Sequence, residues 1–163
     1  MNLAIISDTH LPRGARALPE ACLARLRSAD LILHAGDLAT LAVLAEFEAL
    51  GPPVRAVCGN VDDAAVRAHL PAERTVEADG ARVAVVHDAG PAAGRLARLR
   101  ARFPTADAVV FGHSHIPLHE SKPDGFQIFN PGSPTDRRRQ PRHTMGVAEA
   151  VGGELRFELV ALD

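Results

Sequence analysis

Five short, mainly apolar runs in this chain each stop at Asp, Asn or His residues. In chain order the runs cover residues 3–7, 31–34, 54–57, 82–86 and 107–111. Short apolar runs bounded by turn residues are typical of strands that are buried in a sheet. The chain is therefore expected to build its core on strands whose ends carry polar side chains.

Segments with helical spacing separate several of these runs. Apolar residues recur at helical intervals in Glu20–Ser28, and Thr40 is a suitable N-cap for a helix over residues 41–50. The same spacing covers residues 92–103, where Pro104 ends it. Strands that alternate with helices predict an α/β domain.

The remaining segments favour hairpins. The turn dipeptide Asp79-Gly80 lies between strand-like residues 74–77 and 82–86. In the C-terminal third, segment 116–121 is followed by 126–130, and segment 144–151 by 154–162. No repeat or linker interrupts the chain, so we expect one domain over residues 1–163.

Composition excludes several classes of partner and site. The 163 residues are 47% hydrophobic and carry a net formal charge of −2, without Trp or Tyr, which argues against nucleic-acid binding. No run approaches the roughly 20 apolar residues of a membrane span, and no signal peptide is evident, so we expect a cytoplasmic protein with no membrane partner. Cys22 and Cys58 are interpreted as hydrophobic residues, not as disulfide partners or metal ligands. Homo-oligomerisation is left open.

The residues at the strand ends share one chemical property, since all of them can donate oxygen or nitrogen to a metal ion. They are Asp8, His10, Asp37, Asn60, His87, His113 and His115. Sites in α/β sheets form outside the carboxyl ends of the strands, so these side chains are expected to converge. Seven donors exceed the needs of one tetrahedral ion, and two ions are the simplest interpretation.

The donor types also restrict the metal. Imidazoles mixed with carboxylates favour transition metals over calcium or magnesium. We expect two divalent ions, with manganese first and iron, nickel, cobalt or zinc as alternatives. Two ions about 3.5–4 Å apart need a shared ligand, and Asp37 is the candidate bridge.

In sequence order, the motifs of this chain resemble those of the calcineurin-like metallophosphoesterases, and within them the small single-domain phosphodiesterases of bacteria and archaea. They are Asp8-Thr9-His10, Gly36-Asp37, Gly59-Asn60 with Asp62, His87, Gly112-His113-Ser114-His115 and Asn130-Pro131-Gly132-Ser133. The resemblance implies a four-layer sandwich of two mixed β-sheets flanked by helices. It also implies that Asp8, His10, Asp37 and His115 hold one metal, and that Asp37, Asn60, His87 and His113 hold the other.

The function expected on this basis is hydrolysis of a small-molecule phosphoester, with phosphodiesters preferred. Water held between the two ions would lose a proton and attack phosphorus in line. Asp37, Asn60 and His87 are the expected catalytic residues. The alternatives are a phosphomonoesterase or protein phosphatase, and a non-catalytic metal-binding scaffold, because the family resemblance extends to a protein-binding subunit of membrane-trafficking coats.

Two further segments bear on the substrate. Many superfamily members have a His near the leaving group where this chain has Val61. The leaving group is therefore expected to depart largely as an anion, or to be protonated by water, Asp62 or His34. The loop over residues 137–142 is arginine-rich, and Arg137 and Arg139 are candidates for binding a substrate phosphate.

Overall fold

The strands of this protein form two separate sheets. The computed structural model describes residues 1–12 and 16–163. Its strands are β1 (Asn2–Ile6), β2 (Leu31–His34), β3 (Val54–Ala56), β4 (Glu73–Ala78), β5 (Ala81–Val86), β6 (Ala108–Val110), β7 (Leu118–Ser121), β8 (Gln127–Asn130), β9 (Thr144–Val151) and β10 (Glu154–Ala161). Its helices are α1 (Glu20–Ser28), α2 (Leu41–Glu48), α3 (Ala64–His69) and α4 (Arg95–Arg102).

Both sheets are mixed and have five strands. The first has the order β10-β9-β1-β2-β3 and the second the order β4-β5-β6-β8-β7. Strands β1, β2 and β3 run parallel to one another, as do β5, β6 and β8. The carboxyl ends of each parallel set therefore lie at one edge of its sheet.

Alternation along the strands divides the core into three clusters. Leu3 and Ile5 of β1 pack between the sheets with residues such as Val83 and Val85 of β5. Ala4 and Ile6 point to the other face of β1, where α1, α2 and α3 cover the first sheet. Residues of α4 cover the second sheet on its outer face. The predicted α/β fold of four layers is confirmed.

Local sequence explains where the helices begin. The Thr40 hydroxyl accepts a hydrogen bond from the Val43 N–H at 3.4 Å, which starts α2 at Leu41. The segment over residues 92–103 becomes helical only from Arg95, after Gly94 in the left-handed region. The sequence analysis did not predict helix α3. Its N-cap is Asp63, whose carboxylate accepts the Val66 N–H at 2.9 Å.

Two further observations concern the cysteines and the helices. Cys22 is buried, Cys58 is half-buried, and both are free thiols. Across residues 1–12 and 16–163, every helix is too short or too polar to cross a membrane.

Candidate metal centre

The seven predicted donors meet at one end of the sandwich. Asp8 and His10 follow β1, Asp37 follows β2 and Asn60 follows β3 in the first sheet. His87, His113 and His115 come from the second sheet, after β5 and β6. Both sheets therefore contribute donors to the site. The apolar pattern of the sequence predicts the strands but does not show that they belong to two different sheets.

Asp8, His10 and His115 form the first group. The Nε2 atoms of His10 and His115 lie 3.3 Å apart, and the two rings are stacked. Asp8 Oδ1 lies 3.4 Å from His115 Nε2 and 4.0 Å from His10 Nε2. Three ligand atoms thus surround one point in a buried environment, which suits a cation.

Asp37, Asn60, His87 and His113 form the second group. Asp37 Oδ2 lies 3.2 Å from His87 Nε2. The side-chain oxygen of Asn60 lies 2.9 Å from His87 Nε2 and 3.0 Å from His113 Nδ1. Asn60 and His113 are exposed, so this half of the site opens to solvent.

Asp37 connects the two groups. Its Oδ2 atom lies 3.7 Å from His10 Nε2 in the first group, in addition to its contact with His87 in the second. Its Oδ1 atom accepts a hydrogen bond from the Val61 N–H at 2.9 Å. One carboxylate oxygen therefore faces imidazole nitrogens of both groups, which is the position that a shared ligand requires.

Backbone carbonyls orient two of the imidazoles. His87 Nδ1–H donates to the Ala35 carbonyl at 2.7 Å, and His115 Nδ1–H donates to the Asp136 carbonyl at 2.5 Å. Because a carbonyl only accepts, each ring keeps a proton on Nδ1, and its Nε2 lone pair is available to a cation when the ring is neutral. Metal-binding histidines are held in this way, so the residues present fit divalent cations.

Five of the seven donors have a left-handed backbone. Their φ angles are +55° at Asp8, +45° at His10, +60° at Asp37, +68° at His113 and +60° at His115. For residues with a Cβ, this conformation costs of order 1–3 kcal/mol and persists where the surrounding structure enforces it, often at functional sites. The strain therefore marks the same residues as the donor chemistry does.

Glycines next to the donors allow the loops to come close. A Cβ at Gly59 would overlap the Asp37 carboxylate, and a Cβ at Gly112 would overlap Ser7 Oγ and the Asp8 carboxylate. These contacts explain the Gly-Asn and Gly-His pairs in the sequence, since only glycine leaves space for the neighbouring ligand.

The pKa values of the Asp8 and Asp37 carboxyl groups are shifted in opposite directions. Burial raises the pKa of Asp8 to about 6, although the charge of His87 acts in the opposite direction. Burial also acts against ionisation of Asp37, but hydrogen bonding and attraction to His87 hold its pKa below the ordinary value. Burial lowers the pKa of His10 and of His115, which favours the neutral, ligating form.

The pKa of His87 moves in the opposite direction to those of His10 and His115. Burial acts to lower it, yet the hydrogen bond with Asp37 and the charge of Asp8 raise it overall. The two carboxylates thus favour the protonated imidazole of His87.

Several residues that support the donors were not predicted as site residues. Ser133 Oγ donates to the Asp8 carbonyl at 2.8 Å, and Asn130 Nδ2 donates to the Gly112 carbonyl at 3.0 Å. The Asn-Pro-Gly-Ser turn thus holds the β1 and β6 loops together, and its place among the motifs was the signal for it. Asp62 is buried and accepts backbone hydrogen bonds, so it supports the loops instead of facing substrate.

The two arginines predicted to bind substrate lie in an exposed loop. Arg137 donates to the Gln140 carbonyl, and Arg139 is exposed. Asp136, the residue directly before this loop, contacts the donors, since its carbonyl accepts a hydrogen bond from His115 Nδ1–H.

Comparison with known proteins identifies related sequences. Residues 1–153 match the model of the calcineurin-like phosphoesterase superfamily domain. A protein of Methanothermobacter thermautotrophicus named a probable metallophosphoesterase is 38% identical over 162 residues, an alignment that covers 98% of this chain and 92% of that protein.

Solved structures share the fold at lower identity. A structure described as a novel archaeal phosphodiesterase is 22% identical with a TM-score of 0.75, and the match covers 98% of this chain and 100% of that one. Vps29 from Entamoeba histolytica, solved with zinc, is 21% identical with a TM-score of 0.77 over 100% of both chains. At these identities the similarity establishes the architecture.

Proposed function

This chain belongs to the calcineurin-like phosphoesterase superfamily, and we propose that it is a two-metal phosphodiesterase. The observation that carries the proposal is the position of Asp37 Oδ2, which is 3.7 Å from His10 Nε2 and 3.2 Å from His87 Nε2. A shared carboxylate between two clusters of donors is what a two-metal hydrolytic site needs.

The proposed ligands follow the two groups. Asp8, His10, Asp37 and His115 would hold one ion, and Asp37, Asn60, His87 and His113 the other. Manganese is the first candidate, and iron, nickel, cobalt and zinc are the alternatives. When bound, such ions polarise phosphoryl oxygens and lower the pKa of water to near neutrality.

The protein contributes the placement of these ligands and access to the site. The exposed side chains of Asn60 and His113 mark the side from which a phosphoester approaches. The hydroxyls of Ser7 and Ser133 are buried and donate to Asp8, so neither is available as a nucleophile. Water is therefore the proposed nucleophile.

A diester is proposed over a monoester because a structural neighbour of this chain is described as an archaeal phosphodiesterase. Cationic side chains do lie near the donors, since Arg67 donates to the Asn60 carbonyl and Arg16 pairs with Asp136, whose carbonyl accepts from His115. A phosphodiester carries one negative charge and a monoester nearly two at neutral pH, so a comparison of the two substrates tests the preference. Arg137 and Arg139 remain candidates for contacts with the rest of the substrate.

The test compares bis(p-nitrophenyl) phosphate with p-nitrophenyl phosphate, using protein stripped of metal and then loaded with manganese. We expect two ions per chain and a higher kcat/KM for the diester. A higher value for the monoester would favour a phosphomonoesterase. Two bound ions without turnover of either compound would favour a non-catalytic metal-binding scaffold.

A further inference from the structure

An open cleft of about 650 Å³ lies between the edges of the two sheets. Its walls come from β3, the edge strand of the first sheet, and β4, the edge strand of the second. Met1 and Leu31, at the amino ends of β1 and β2, also line it. The metal centre lies instead at the carboxyl ends of β1, β2, β3, β5 and β6, and none of its donors lines the cleft.

Two arginines face this cleft from the core side of their strands. Arg74 is paired with Val85 in the β4–β5 register, and Arg55 is paired with Leu33 in the β2–β3 register. Val85 and Leu33 belong to the core between the sheets, and paired residues of neighbouring strands share a face. Both side chains therefore leave the core face of their strands: Arg74 is half-buried, whereas Arg55 is exposed and its Nη1 donates to the Val54 carbonyl at 3.2 Å.

Arg74 also has an unpaired donor. Its Nε atom is closed to solvent and has no hydrogen-bond partner in the part of the chain that the structure describes. A buried N–H without an acceptor costs free energy, and such groups call for an explanation. Burial, together with the charge of Arg55, lowers the pKa of Arg74, which agrees with two like charges close to each other.

The carboxylates around the cleft are already engaged by other groups. Glu73 pairs with Arg102, and Glu77 lies 3.8 Å from Arg82. Asp30 accepts the Asn2 N–H at 2.6 Å. Within residues 1–12 and 16–163, Arg55 and Arg74 have no carboxylate partner. With the two ion pairs neutral, these arginines and the Met1 amino group outnumber the one remaining negative charge of the lining, at Asp30.

We propose that Arg55 and Arg74 form a binding site for a phosphate-monoester dianion in this cleft. Two guanidinium groups match the two charges and three terminal oxygens of such a group, whereas a carboxylate offers one charge and two oxygens. Leu31, Pro53 and Val76 supply an apolar wall for the organic part of the ligand. This proposed phosphate site does not depend on the proposed hydrolysis of diesters at the metal centre.

The test uses the full chain without added metal, inorganic phosphate, and phenylphosphonate, whose carbon–phosphorus bond resists hydrolysis. NMR of arginine Nε–H groups reports binding at Arg74 directly. We expect a saturable shift of the Arg74 signal, with tighter binding of phenylphosphonate than of phosphate. Arg55→Gln is expected to weaken binding by about tenfold or more, as for loss of a charge-assisted hydrogen bond. Equal affinity for the two probes would assign the site to free phosphate and overturn the monoester part of the proposal.

Arg156→Gln, an exposed substitution on β10 at the far edge of the first sheet, is the matched control and should bind both probes normally. Phosphate should also raise the Tm of the wild type but not of Arg74→Gln, measured in parallel. A shift that stays linear up to about 10 mM would overturn the proposal. The proposal would also be overturned if the arginine variants self-associated while their phosphate binding was unchanged. The arginines would then serve to protect the sheet edges from pairing.

Discussion

Asp62 accepts a hydrogen bond from the backbone N–H of Asp37 at 3.1 Å, and so connects the loop after β3 to the proposed bridging ligand. The same carboxylate accepts the N–H groups of Ala39 at 2.7 Å and Gly59 at 2.6 Å. Asp62 is only 2% exposed, and its two oxygens are occupied by these three donors. It holds together the two loops that carry Asp37 and Asn60.

Replacing Asp62 is therefore expected to affect both stability and metal binding. Asp62→Asn would turn an NH2 group toward backbone N–H donors, and we expect a loss of about 2–3 kcal/mol in the free energy of unfolding. Metal affinity should fall by about 10–100-fold. Urea unfolding and metal titration measure the two effects. Asp63→Asn is the matched control, because Asn caps α3 nearly as well as Asp.

Asp37→Asn should abolish turnover while the fold is retained. The substitution removes the carboxylate that faces both donor groups, and we expect kcat to fall by at least about 100-fold. Circular dichroism checks the fold, and metal analysis should show fewer than two ions per chain. Asp88→Asn is the control, since Asp88 is exposed and accepts the Gly90 N–H. Retention of half the wild-type rate at saturating metal would contradict a shared ligand at Asp37.

The rate should depend steeply on the leaving group. Val61 is 47% exposed beside Asn60 and has no proton to donate. Asp62 is occupied by backbone donors, and His34 is fully buried, so neither reaches the substrate. A general acid contributes about 10²–10⁴-fold for poor leaving groups. A series of aryl phosphodiesters should therefore slow sharply as the leaving-group pKa rises.

Introducing an acid at position 61 provides the complementary experiment. Val61→His is expected to make the dependence shallower, while Val61→Leu should leave it steep. A shallow dependence in the wild type, with chemistry shown to be rate-limiting, would mean that another residue donates the proton.

Acid should destabilise the protein through His34. The Gly36 N–H donates to His34 Nδ1 at 3.2 Å, so Nε2–H donates to Thr9 Oγ1 at 3.0 Å. Burial lowers the pKa of His34 to about 3, from an ordinary value of 6.5. The unfolded chain thus binds more protons between these values, and stability rises with pH across this window and is lost as the pH falls.

The contribution of His34 can be isolated by substitution. From pH 6.5 to pH 5 it amounts to about 2 kcal/mol, and His34→Gln should remove that part of the slope in urea unfolding. His69→Gln, at the exposed end of α3, is the control and should keep the wild-type slope. Parallel slopes in His34→Gln and wild type would show that His34 does not titrate in this way.

The arginine loop can be tested without disturbing the metal. If it binds substrate, replacing Arg137 and Arg139 with Gln should raise KM or lower kcat/KM with the bound metal unchanged. Arg27→Gln on α1 is the matched control, since it removes an exposed arginine from an unrelated surface. Unchanged kinetics would leave the loop as a solvated surface segment.

Local patterns are sufficient for the strands and loops that carry the donors. An apolar run such as residues 31–34, followed by Gly36 and Asp37, specifies a buried strand and a polar turn without help from the rest of the chain. The division into two sheets is different, because β1 and β5 have similar apolar patterns and their partners are distant in sequence. The apolar pattern of the residues predicts the strands, whereas their division into two sheets is implied by the family resemblance.

Two further features depend on tertiary context. Helix α3 has six residues and one buried side chain, Val66, so its sequence lacks the apolar periodicity that would predict a helix. The left-handed backbone at Asp8 and His115 arises from packing of loops from different sheets. Gly36, Gly59 and Gly112, each directly before a donor, are the sequence signs of such close approach.

Because the donors come from both sheets, the order of synthesis on the ribosome matters. A nascent chain that extends only to the end of α4 contains five of the donors but lacks His113 and His115. It also lacks β9, which pairs with β1 in the first sheet. At that stage the first group of donors lacks His115 and the second lacks His113. Both groups are therefore complete only after the loop that follows β6 has been synthesised.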